Sequence, residues 1–210
     1  MSVTSALLAG IVAGLGVAVP LGAIGVLLLQ TGLVAGWRVG AAGALGVALV
    51  DLAYAGLVVT AGAAVAEPIA RHSTVIRLVG SAVLFVVAAI GLRSVLRPGS
   101  ASSATNVGLA APPGTAPGAV LARFVGLTAL NPLTAVYFAA LVAGFSGRFD
   151  AIGRIAFVAG VFAASLAWQL VLITVGATTG HRASPRMRGA LGLAGALLVA
   201  AYAVRLAVGE

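Results

Sequence analysis

Six long apolar stretches, near residues 5–29, 39–65, 76–96, 118–144, 152–177 and 187–207, decide what this chain can fold into. A helix that crosses a bilayer needs about 20 mainly apolar residues, and each stretch is that long. Lipid offers no partner to backbone amides and carbonyls, so a spanning chain must satisfy them internally, as helices or a closed barrel. Runs this long and this continuously apolar predict helices. Composition agrees, with 61% hydrophobic and 8% charged residues, where a soluble domain carries about 25% charged. The expected fold is an all-α integral membrane protein of six transmembrane helices, with the lipid bilayer as its solvent. The opening MSVTSALLAG lacks a basic n-region and its apolar run is long for a signal peptide, so it reads as the start of the first span.

Charge and side-chain inventory narrow the function. The net charge of +8 comes from twelve Arg without any Lys. In a soluble chain that surplus would suggest nucleic acid. Here the Arg residues fall mostly between or at the ends of apolar stretches, where they anchor the chain at the interface, and no nucleic-acid partner is expected. With no Cys, disulfides, thiolate metal sites and thiol nucleophiles are excluded. His72 and His181 read as loop residues without metal-ligand spacing. GAAGALG near Gly40 has no Lys and follows no strand, so it is no phosphate loop. No cofactor, metal site or enzyme chemistry is expected.

The chain also repeats itself. Gly46 to Gly62 (GVALVDLAYAGLVVTAG) returns as Gly160 to Gly176 (GVFAASLAWQLVLITVG) at an offset of 114 (160 minus 46), with Asp51 replaced by Ser165 and Tyr54 by Trp168. At an offset of 112, Pro20 recurs as Pro132, and VVAAIGLR ending at Arg93 recurs as LVAAYAVR ending at Arg205. A two-residue loop difference reconciles the offsets. Each unit holds three stretches, and an odd number sends the second unit into the membrane from the opposite side. The architecture expected is therefore two inverted three-helix repeats, 1–96 and 118–210, joined by a flexible linker over 97–117 that is rich in Pro, Gly and Ser.

Asp51 is the acidic residue inside a stretch; Glu67, Asp150 and Glu210 fall in loops or at the terminus. An ionised carboxylate at the centre of a membrane helix costs roughly 2.5 to 3.5 kcal/mol on insertion scales, so such residues usually face the interior and serve ions or substrates. A carboxyl there can exchange a proton for a cationic ligand. The structural alternative is a permanent ion pair with Arg77, Arg93 or Arg123. Pro20 and Pro132 each lie inside the first helix of a repeat, where the missing amide and the ring should free the carbonyls of Gly16 and Thr128. Gly22 and Asn131 beside them suit a break, and broken helices place polar ends at membrane depth. Gln30, Tyr54, Tyr137, Ser165, Trp168 and Gln169 are the other polar residues able to line a path, although such residues more often bridge helices.

Taken together, Pro20 with Gly22, Gln30 at the end of the first stretch, Asp51 in the second, Leu130-Asn131-Pro132 in the fourth and Ser165 to Trp168 in the fifth resemble the LysE-type amino acid exporter family. The resemblance runs over essentially the whole chain. It implies a small bacterial inner-membrane protein that exports amino acids or related solutes, driven by the membrane gradient, and it marks the LNP segment and the acid of the second stretch. The chain carries Pro20-Leu21-Gly22 where the family usually has Pro-Gly-Pro, which leaves the shape of the site open. Asp51 resembles the acid of the lysine- and arginine-exporting branch, which suits a cationic substrate. The expected partners are an amino acid, protons or another coupling ion, and further copies of the chain in a homo-oligomer. The alternatives are a metal-ion or cationic-drug exporter and a non-transporting membrane scaffold.

Overall fold

The computed structural model describes residues 2–19, 22–62, 71–96, 114–145 and 149–182, with scattered positions of 190–208, and every element among them is a helix. In chain order these are α1 (Val3–Ala18), α2 (Ala23–Ala61), α3 (Ser73–Leu96), α4 (Pro117–Ala129), α5 (Pro132–Phe145) and α6 (Ala151–Arg182). The starts follow from local chemistry. The Ser2 hydroxyl accepts from the amide of Ser5 at 3.2 Å, Pro117 opens α4 where an amide would lack a partner, and Asp150 Oδ1 accepts from the amide of Gly153 at 2.9 Å.

As one straight rod α2 would be about 58 Å long at 1.5 Å per residue, about twice the hydrocarbon thickness. It folds back instead. At Gly36 the backbone takes φ 80°, ψ 178°, the left-handed half of conformational space that glycine enters without penalty. The two arms, 23–35 and 37–61, then lie antiparallel. A methyl built on Gly40 would stand 3.4 Å from Cα of Gly32, and one on Gly43 would stand 3.2 Å from the Leu28 side chain. The loop expected between the first two stretches is thus reduced to one residue.

The remaining packing rests on glycines pressed against backbone. Gly10 and Gly14 of α1 meet Phe157 and Val161 of α6, so these helices run parallel, and Gly32 in the first arm of α2 meets Ile173 farther along. A methyl on Gly160 would lie 2.5 Å from the carbonyl oxygen of Leu7 and 3.0 Å from the amide of Ile11; one on Gly46 would lie 2.7 Å from the carbonyl of Leu121 and 3.3 Å from the amide of Val125. The two contacts are equivalent under the sequence repeat: 160 − 46, 121 − 7 and 125 − 11 are all 114. Meanwhile the second arm of α2 descends α6 as its own numbering rises, through Trp37 with Thr174, Gly40 with Ile173 and Asp51 with Ser165.

Polarity is inside out. Gln30, Thr31, Asp51, Thr128, Thr134, Ser165 and Gln169 are buried, whereas Val12, Val75, Ile152, Ile155 and Val208 are more than half exposed. That suits an exterior of lipid tails rather than water. Ala23–Ala61 and Ala151–Thr179 are each long and apolar enough to cross a bilayer, and Pro117–Ala129 with Leu133–Leu141 forms a third run, bent by 62°. The expected first stretch is divided between α1 and α2, and the expected fourth between α4 and α5. His181, expected in a loop, belongs to α6. Residues 97–113 of the expected linker, together with Arg205, lie outside the described residues. In the expected sixth stretch the described positions are helical, and Leu197 and Ala200 face Phe85 and Ala88 of α3.

The glycine contacts yield a stability prediction. Gly46→Ala and Gly160→Ala each force two helices apart and lower the unfolding free energy in an SDS titration by about 1–3 kcal/mol. Gly56→Ala, where nothing lies within 4 Å, changes it by no more than about 0.5 kcal/mol.

Candidate functional site

Both helix breaks converge on one interior space. A cavity of about 280 Å³ is bounded by the end of α1 (Gly16, Val17, Ala18), the start of α2 (Gly22 to Gly25), the end of α4 (Thr128), the start of α5 (Asn131, Leu133, Thr134, Tyr137) and Val47, Asp51 and Gln169. Among the residues expected to form a site or line a path, Gly22, Asp51, Asn131, Tyr137 and Gln169 line it directly. Pro20 lies outside the described residues. Pro132 is the first residue of α5.

The α4–α5 break is satisfied from within. The carbonyl of Thr128, deprived of an amide four residues on by Pro132, accepts from the amide of Asn131 at 3.1 Å. Asn131 then caps α5: its Oδ1 accepts from the amide of Leu133 at 3.2 Å, and its Nδ2 donates to Thr134 Oγ1 at 3.1 Å. The carbonyl of Ala129 accepts from the Tyr54 hydroxyl at 3.0 Å. Tyr54 in turn stacks on Phe138, with ring centroids 5.6 Å apart and planes 10° off parallel.

The α1–α2 break is finished differently. Gly22 precedes α2 in extended conformation and supplies no side-chain cap. The first helical bond of α2 runs from the amide of Val26 to the carbonyl of Gly22, so the amides of Ala23, Ile24 and Gly25 begin the helix without intrahelical acceptors. All three residues border the cavity. Opposite, Tyr137 donates to the carbonyl of Ala13 at 3.0 Å and leans over Gly16, where any side chain would meet its hydroxyl.

Asp51 is 2% exposed and its Oδ2 accepts from the Ser165 hydroxyl at 2.6 Å. The pair joins the two positions that the sequence repeat equates. The hydrogen bond shown for Asp51 is the one from Ser165; Arg93 is exposed and Arg123 sits half-buried on α4, while the side chain of Arg77 is not described. Thr128 Oγ1, Gln169 Oε1 and Trp168 Nε1 are buried without hydrogen-bond partners among the described residues. An unpaired buried group of this kind costs about 1–3 kcal/mol. Thr128 and Gln169 are residues of the cavity lining. Trp168 and Gln30 stand apart from it, Gln30 being buried within the first arm of α2.

Sequence reasoning missed Thr128, Thr134 and Gly16 as lining residues. Thr128 and Gly16 carried a signal, since each stands four residues before a proline, Pro132 and Pro20; Thr134 carried none, because its facing depends on how the bent helices tilt.

Compared with known proteins, the chain matches the family model described as LysE type translocator over residues 15–210. No curated protein matches it, and no solved structure matches it.

The Asp51–Ser165 contact is testable by a double-mutant cycle. Ser165→Ala lowers the unfolding free energy by about 1–3 kcal/mol, since it strands a buried acid. In an Asp51→Asn background the same change has a different effect, with a coupling of about 0.5–3 kcal/mol.

Proposed function

We propose that this chain, which belongs to the LysE type translocator family, is a secondary exporter of amino acids or related small solutes, coupled to protons and working by alternating access. Its setting is the bacterial cytoplasmic membrane, which it crosses six times as two inverted repeats, 1–96 and 118–210, joined by the linker 97–117. Substrate occupies the cavity between the two helix breaks, and Asp51 carries the proton or the cationic group that trades places with it.

The observation that carries this reading is the convergence of both interrupted helices and the buried acid on one small cavity. A space of about 280 Å³ falls just below the usual range for drug-sized ligands, about 300–1,000 Å³, and suits a small solute. The inverted relation is supported by the reciprocal contacts of Gly46 and Gly160, by the antiparallel course of the second arm of α2 along α6, and by Asp51 meeting its own repeat counterpart. Equivalent residues meet in antiparallel helices at a twofold axis in the membrane plane, whereas an axis along the bilayer normal would make the helices parallel. Motion of one repeat against the other about that axis would expose the cavity to each side in turn.

The test is gradient-driven efflux. Purified protein in liposomes moves amino acids when a proton gradient is imposed. Asp51→Asn abolishes that coupled movement while the variant still inserts and elutes as the wild type does. Undiminished coupled transport by Asp51→Asn would overturn the role given to the acid.

A further inference from the structure

The cavity is lined by two unlike sets of polar groups, and their chemistry narrows the substrate. One set is three acceptors. Asp51 offers Oδ1, since Ser165 holds Oδ2, and Gln169 Oε1 and Thr128 Oγ1 are each buried with no partner among the described residues. Gln169 is 4% and Thr128 2% exposed, and both border the cavity with Asp51. A primary ammonium has three N–H donors and no acceptor, so three acceptors match it one for one. The other is the amides of Ala23, Ile24 and Gly25, at a helix start where Gly22 supplies no side-chain cap. That group of donors, with the partial positive charge of the helix end, matches a carboxylate. The start of α5 differs, because Asn131 already occupies its first free amide.

Val17, Ala18, Val47 and Leu133 supply apolar lining for a side chain. Asp51 is the one acidic residue bordering the cavity among the described residues. A dibasic amino acid needs two anionic or acceptor-rich partners, one for each cation. Once the α-ammonium has taken Asp51, a side-chain cation would find no second acid among the described residues that line the cavity, and an unpaired buried charge is strongly disfavoured.

We infer that the cavity selects a small neutral aliphatic α-amino acid as a zwitterion, its ammonium on Asp51, Gln169 and Thr128 and its carboxylate on the first amides of α2. This rests on the export reading and narrows it: the acid of α2 serves the α-ammonium that every amino acid carries, rather than a cationic side chain. Gln169 is thereby a specificity residue, because it fills with a neutral amide a place where a second acid would admit a second cation.

Counterflow in proteoliposomes tests the inference. Vesicles loaded with unlabelled L-valine accumulate labelled L-valine. External L-alanine and L-isoleucine compete within about threefold of valine. Isobutylamine, which lacks the carboxylate, 3-methylbutanoate, which lacks the amine, and L-lysine each compete at least about tenfold more weakly. Thr128→Val raises the half-saturation concentration for valine about fivefold and leaves the maximal rate within twofold. Gln169→Glu, nearly equal in shape, strengthens competition by lysine about tenfold relative to valine, a change that a structural role for Gln169 would not produce. Lysine competing as well as valine in the wild type, or either one-ended analogue doing so, overturns the inference while leaving amino acid export in place. Failure of all amino acids to exchange, valine and lysine included, in vesicles shown to contain folded protein overturns both readings.

Discussion

A helix interrupted in lipid must find new partners for the backbone groups that the interruption strands, because no water is there to take them. That requirement organises the interior of this protein. At the α4–α5 break it is met by side chains already in place: Asn131 takes the amide of Leu133 and Tyr54 gives its hydroxyl to the carbonyl of Ala129. At the start of α2 Gly22 has no side chain to offer the amides that follow. One break is capped by its own asparagine and the other, among the described residues, is not. The chemistry assigned to the site follows from that difference.

The open break is tolerable because the scaffold around it is tight. Where Gly10, Gly14, Gly32, Gly46 and Gly160 stand, neighbouring backbones approach within the space that a single methyl would need. In a membrane, helices gain little from hiding apolar surface from one another, so close van der Waals approach has to hold them together. At the sequence offset of 114, where α1 offers Gly10 to the backbone at Phe157, α4 offers the ring of Phe124 to Gly43.

Much of this was legible in the residues. Hydropathy located the helical stretches, the prolines located both breaks, and the exchange of Asp51 for Ser165 marked the positions that meet at 2.6 Å. What could not be read were features that depend on facing and tilt. Gly36 is one of 29 glycines, and nothing in its neighbours sets it apart as the place where the chain reverses. Gln169 could be named as polar and buried, but its turn toward the cavity depends on the roll of α6 against α2. Asn131 drew attention as a breaker, whereas its role as the cap of α5 emerges only from the direction in which its amide points. Trp168, the repeat counterpart of Tyr54, has no carbonyl within reach of its indole nitrogen among the described residues, although Tyr54 has one.

The reversal at Gly36 has a mechanical consequence. A turn of one residue carries no slack, and Gly32 packs on Gly40 and Leu28 on Gly43 across it, which ties the two arms of 23–61 together. The first amides of α2 and Asp51 lie on opposite arms of this hairpin, so the turn at Gly36 sets the spacing between them.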